Sequence, residues 1–153
     1  MTANMLHVVV HGKPVPQGSV RSLGTGRPSV HGNAERLWPW RDSIIIATQS
    51  AMIDAGWHRT QGPLSVYGSF CFDRPQSHFT PGGALRATAP AWPVTRANGD
   101  LDKLQRAVGD ALTAAGAIFD DSQIVRWAVM KQFVSPQSLR HPGVILDLCW
   151  LEP

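Results

Sequence analysis

The sequence predicts an α+β fold in which a small mixed sheet of about four strands packs on two helices. Three observations lead there. Short β-branched or alternating runs recur at the start, middle and end of the chain; two segments carry apolar residues at 3-4 spacing; and the two patterns interleave in the order β-α-β-α-β-β. At 153 residues the chain suits one domain spanning 1–153, large enough to bury a core without disulfides.

Leu6 to Val10 is β-branched and weakly alternating, so it reads as a strand. Lys13 to Ser29 is rich in Pro, Gly and Ser and reads as a loop. A helix opens at Asn33 or Ala34, with Trp40, Ile44, Ala47, Ala51, Met52 and Ala55 at 3-4 spacing and Gly56 as its stop. Pro39 fits only a first turn, so the regular helix is expected to begin near it. Leu64, Val66, Gly68, Phe70 and Phe72 alternate with polar or smaller residues in a second strand. A long irregular segment follows, from Arg74 to Gly99. Unstructured loops of that length in a compact domain are usually functional or mobile.

The clearest element is the second helix. Leu104, Val108, Ala111, Leu112 and Ala115 form one apolar stripe ended by Gly116, and Asp102, Arg106, Asp110 and Thr113 lie opposite. Val125, Trp127, Val129 and Phe133 then alternate along a strand. Val144, Leu146, Leu148 and Trp150 alternate along another, with Pro136 to Gly143 expected as a hairpin-like connection.

Composition narrows the function. Cys71 and Cys149 both lie in apolar alternating runs and read as two free thiols in a reducing compartment. No stretch approaches the roughly 20 apolar residues of a membrane span, and the N-terminus lacks a signal-peptide pattern, so a cytoplasmic protein is expected. The net charge is only +3, but it is unevenly spread. Residues 1–34 hold Lys13, Arg21 and Arg27 without an acid, and residues 74–99 hold Arg74, Arg86 and Arg96 without one. Flexible basic loops are thus expected at about 12–30 and 74–99. The acids gather at Asp100, Asp102, Asp110, Asp120 and Asp121. Basic loops around an acidic focus suit a protein that grips a polyanion by its phosphates and places a metal at one of them. Ordinary solvated loops give the same pattern.

Asp100-Leu101-Asp102 puts two carboxylates on one side of an extended chain, whereas inside a helix they diverge by about 200°. They can share a metal only where the backbone is extended or just entering a helix. Asp102 followed by Gln105 has the form of a capping box, with Asp102 as N-cap, and a helix N-terminus favours an ionised carboxylate. Capping alone is the plainer account of the pair. Asp120-Asp121 faces opposite sides of an extended chain, so at most one of them joins Asp100 and Asp102, and only if the connection from helix to strand reverses fully. Arg106 lies one turn beyond Asp102 on the same helix face, placed for an ion pair or for a phosphate. Asp110, two turns into the helix, is expected to serve stability rather than chemistry.

The run GDLDKLQRAVGDALTAAGAIFDDSQI at 99–124, continuing to Lys131, resembles the signature of the RusA-like Holliday junction resolvases. That family shows Asp-Leu-Asp-Asn-Leu, a Lys, Asp-Ala-Leu, and then Asp-Asp-x-Gln before a strand, and the spacing matches without a gap. Gly12-Lys13-Pro14-Val15-Pro16 and Arg74-Pro75-x-Ser77-His78 are similar to features of phage-type members. The resemblance implies a homodimeric α/β endodeoxyribonuclease, nucleoid-associated or phage-encoded in a bacterial host. It would resolve four-way DNA junctions by paired nicks with Mg²⁺, or Mn²⁺ as a substitute, and use no nucleotide cofactor. Carried over by position, Asp100, Asp102 and Asp121 fall on its metal-binding acids, Asp120 on a neighbouring acid, and Lys131 on a basic position of the next strand. Arg106 joins the three acids as a catalytic candidate. Lys13, Arg21, Arg74, His78, Arg96, Lys103 and Lys131 are the candidates for DNA contact. Trp38, Trp40, Trp57 and Trp92 are available to wedge or stack at a branch point, with core or loop packing the plainer role.

Two positions depart from the pattern: Lys103 stands where the family carries Asn, and Arg106 where it carries a functionally important Lys. Arginine keeps the charge but does not readily give or take a proton. Three other readings are open. One is a non-catalytic dimeric module that binds junctions, another a nuclease of the same fold acting on flaps or forks. In the third, Asp-x-Asp binds a metal–nucleotide as in glycosyltransferases, but no glycine-rich phosphate loop precedes a helix here.

Overall fold

A computed structural model describes residues 3–18, 20–21, 24–26, 30–31 and 33–153. Among these residues six strands and two α-helices follow in order: β1 (Met5–His11), β2 (Val20–Arg21), β3 (Val30–His31), α1 (Ala34–Ala55), β4 (Leu64–Phe72), α2 (Leu101–Ala115), β5 (Ile124–Phe133) and β6 (Gly143–Trp150). Four strands make one mixed sheet in the order β1-β6-β4-β5, in which only β4 and β5 run parallel. The backbones of β2 and β3 pair as a small antiparallel ribbon within the segment expected to be a loop. The segment from Arg74 to Gly99 contains two short 3-10 turns and one isolated bridge between Phe79 and Leu85. Among the described residues no helix is long and apolar enough to cross a membrane.

The alternation read from the sequence builds one core. Leu6, Val8 and Val10 of β1, Val66 and Phe70 of β4, and Val144, Leu146 and Leu148 of β6 are buried with Leu37 and Ile44 of α1 and Leu104, Val108 and Leu112 of α2. Each such side chain contributes roughly 1.5–3 kcal/mol by leaving water. Among the described residues the opposite sheet face carries no helix, and Met5, Tyr67 and Met130 are exposed on it. Both cysteines are free, as expected, with Cys71 buried. Trp40 and Trp57 are buried, Trp57 stacked on Trp150 at 5.2 Å, so packing claims both.

Three expectations need correction. β5 and β6 are not a hairpin, because β4 lies between them and residues 134–142 carry the chain past it. Alternation shows which face a residue takes but not which strand is its neighbour. Val125 is exposed rather than core-facing. The β4 partners step from Ile124 to Arg126, so Val125 is the extra residue of a bulge and leaves the alternation. Pro39 lies inside α1 and not at its start, which is Ala34. Leu37 before it and Trp40 and Ile44 after it are all buried, so both halves of the helix are anchored and offset the roughly 3 kcal/mol that an internal proline costs.

Residues 12–18 bind the two helices together. The Gln17 side chain is buried and its Nε2 donates to Asp110 Oδ2 at 2.6 Å, while Arg41 Nη1 of α1 approaches the same oxygen at 3.8 Å. The Gln17 N–H donates to the Lys103 carbonyl, and Asn33 Nδ2 donates to the Pro16 carbonyl at 2.6 Å. Asp110 therefore fastens loop, α1 and α2 at one point. Asp110→Ala should strand the Gln17 amide in a buried site and cost about 1–3 kcal/mol, read as a lower urea midpoint. Asp110→Asn, which keeps an acceptor oxygen, should cost less.

Candidate active site

Gly99, at φ 78°, turns the chain into α2, and Pro16 packs so close that a Cβ there would lie 2.7 Å from its Cγ. Lys131, on the inner face of β5, holds this turn from below, its Nζ donating to the Gly99 carbonyl at 2.9 Å. The helix cap differs from the expectation. Asp100 is the N-cap, its carbonyl accepting from Leu104 N–H, and Asp102 sits in the first turn. Extended backbone at Asp100 supplies the cap geometry two residues earlier than the Asp102–Gln105 pattern suggests, and no side-chain capping bond forms there. The Asp100 carboxylate is exposed and pairs with Lys103 Nζ at 3.1 Å.

Asp102, Gln105, Arg106 and Gly109 recur at helical spacing along one face of α2. With Asp121 and Trp127 they line a cleft of about 210 Å³. The link after Gly116 does reverse the chain, but it returns Asp121 to the middle of α2 rather than to its start. A Cβ on Gly109 would stand 3.4 Å from Asp121 Cβ, 3.7 Å from its Oδ2 and 3.8 Å from Trp127. A methyl would fit there in ordinary van der Waals contact, so glycine leaves open the space beside Asp121. Asp102 and Asp121 therefore flank one cleft, separated along α2 by the two turns that carry Gln105 and Arg106. Arg106 makes no ion pair with Asp102. Asp100 does not line the cleft, and among the described residues no group of three or more His, Cys, Asp or Glu side chains is gathered to hold a metal.

The Asp-Asp-x-Gln run has a division of labour that periodicity did not reveal. Asp120 caps the 3-10 turn Asp121–Gln123, its Oδ1 accepting from Ser122 N–H at 2.8 Å. Ser122, through its hydroxyl and its N–H, holds the Asp120 carboxyl below the usual carboxylate range. Gln123 spends its whole amide on structure. Its Oε1 accepts from the Phe119 and Asp120 N–H groups, and its Nε2 donates to the Thr60 and Gly62 carbonyls. The turn is thus pinned to the β4 approach, which leaves Asp121 directed to the cleft. Trp127, read only as a core-facing strand residue, also forms cleft wall. Its place on the 127-129-131-133 face was legible, but its neighbour was not.

The basic candidates fall into three groups. Lys13 and Arg96 are exposed and line one hollow beside α1. Arg74, Lys103 and Lys131 are engaged within the protein. Arg74 lies 4.1 Å over the Phe133 ring, donates to the Pro90 carbonyl at 2.8 Å and meets His78 Nδ1 at 3.2 Å, with His78 edge-on to Phe133. The Arg21 side chain, like Arg27, lies outside the described residues.

Chemically, the cleft offers two hard oxygen donors and one guanidinium. Two carboxylates suit an ion such as Mg²⁺, which keeps several of its waters and takes only one or two carboxylates from a protein.

Residues 12–142 of the chain match the sequence model of the family described as Endodeoxyribonuclease RusA. No curated protein matches the chain.

Gly109→Ala tests the close approach. Alanine favours a helix by roughly 0.5–1 kcal/mol, so thermal melting should hold or rise. The added methyl would fill the space beside the Asp121 carboxylate that hydration of a bound ion would use, and Mn²⁺ affinity measured by calorimetry should fall.

Proposed function

Because the chain belongs to the RusA endodeoxyribonuclease family, we propose that it resolves four-way DNA junctions by divalent-metal-dependent hydrolysis at the Asp102–Asp121 cleft. The observation that carries this reading is the cleft itself. Two carboxylates from opposite ends of the α2 crossover line it, with an arginine between them.

Asp102 and Asp121 would hold Mg²⁺ or Mn²⁺. Asp100 would join them by giving up Lys103, an exposed pair of the kind worth about 0–1 kcal/mol. Bound there, the ion would supply Lewis-acid polarisation of the phosphodiester and of the attacking water. Arg106 places its charge toward a phosphate in the same cleft and stabilises the negative charge that builds as the P–O bond breaks. It is not a proton donor, so the leaving oxygen takes its proton from water. Asp120, committed to Ser122, serves the turn. Lys13 and Arg96, with Lys103 once released, draw in the DNA backbone. A homodimer presents two such clefts to the two strands of a symmetric junction, which accounts for paired nicks.

One departure favours a second reading. Arginine at 106 in place of the family lysine suits a protein that binds junctions without cutting them, if that lysine moves a proton. Nicking of a synthetic four-way junction beside linear duplex, in Mg²⁺ or EDTA, separates the two. Metal-dependent paired nicks are expected. Asp102→Asn should abolish them yet keep junction binding. Arg106→Ala should slow them by roughly 10²–10³ and Arg106→Lys by far less. Wild-type cutting by Asp102→Asn overturns the site assignment. Tight binding without nicks in either Mg²⁺ or Mn²⁺ overturns the nuclease reading.

A further inference from the structure

A second concavity, about 450 Å³, opens between the Arg74–Asn98 segment and the end of β5. Its volume is in the range of small-molecule sites. Phe72 and Phe133 form apolar wall, and Trp92 stands at it with 55% of its surface exposed. The indole is left half in water, and among the described residues no ring is stacked on its flat face. Among the described lining residues Lys13 and Arg74 stand against the carboxylate of Asp73, so the lining is basic on balance, and His78 adds an imidazole edge. Arg74 is locked over Phe133 and onto the Pro90 carbonyl, so it holds in place the segment that carries Trp92. Asn98 supplies a polar edge. Its Oδ1 accepts from Thr95 Oγ1 at 2.9 Å, which leaves its NH₂ to donate. One exposed indole face, one directed donor and a basic surround match a heterocycle attached to a phosphate chain.

The position relative to the acidic cleft narrows the ligand. Asn98 in this hollow is four residues before Asp102, a reach of at most about 14 Å. Phe133 and Trp127 lie on one face of β5 six residues apart, about 20 Å, with Lys131 between them on the Gly99 carbonyl. One DNA strand spans that distance in a few nucleotides.

We propose that this hollow holds a single unstacked base of the DNA strand whose phosphate lies at the Asp102–Asp121 cleft, a few nucleotides away. The proposal rests on the nuclease reading only for the identity of the polyanion. A base drawn out of the stack there sets the register of the strand in the cleft, and Asn98 gives it a preference for bases with an acceptor on the facing edge.

The test is a cycle between protein and DNA. Junctions carrying one abasic residue, moved stepwise along an arm to the branch point, are titrated with wild type, Trp92→Ala and Trp92→Phe in EDTA. Nicking is measured in parallel in Mg²⁺. Trp92 is exposed, so the variants should keep the fold, checked by circular dichroism. At one position base removal should change wild-type affinity about tenfold, the scale of a base–aromatic stack. Trp92→Ala should be blind to that change and Trp92→Phe should retain it. Identical abasic profiles for wild type and Trp92→Ala overturn the pocket. If nicking persists in that case, the nuclease reading stands without it. Position-specific coupling without nicking leaves the pocket and removes the nuclease. Absence of binding by the wild type overturns both.

Discussion

The cleft exists because β4 and β5 run parallel. Parallel neighbours cannot be joined by a tight turn, so the chain must leave the sheet, cross its face and come back. α2 is that crossing, and its apolar stripe lies on the core. The polar face then runs beside the turn that feeds β5. Asp102 stands in the first turn of α2, Asp121 just before the strand that returns, and both line one depression although nineteen positions separate them in sequence. The antiparallel half of the sheet, β1 and β6, supplies burial but none of the cleft residues.

A parallel crossover fixes direction but not depth, and two close contacts set the depth. The Asp121 turn packs against α2 at Gly109, and Gln123 ties that turn to the residues before β4. At the other end Lys131 and Pro16 trap the Gly99 turn from two sides. The acidic residues are placed by Gln123, Lys131 and Pro16, which do not line the cleft, and by Gly109, which lines it but makes no bond to a carboxylate. This keeps their own oxygens available, apart from Asp100, whose pairing with Lys103 is exposed and easily exchanged.

Much of the fold was legible because it depends on periodicity. The α2 stripe, its Gly116 stop, and the buried faces of β1, β4 and β6 follow from spacing alone. Strand adjacency was not legible, since β5 and β6 alternate in the same way whether or not β4 separates them. The bulge at Val125 and the internal Pro39 are both settled by tertiary burial that local preference does not include. Within the site, Asp102, Arg106 and Asp121 came from a resemblance. Their spacing alone favoured a helix cap and a solvated turn, and Asp100 and Asp120 do play those parts. Gln123 stood inside the matched run, yet a sequence does not disclose that all its hydrogen bonds go to backbone.

β5 is also an edge of the sheet, so among the described residues one side of its ten-residue ladder has no strand beside it. A straight edge of that length is a template on which another chain can add, the first step toward fibrils. The extra residue at Val125 bends this edge near its start, so an incoming strand finds register over only part of it. The irregularity that spoiled the alternation thereby works against aggregation, and a deletion that straightened β5 would trade a tidier ladder for a stickier protein.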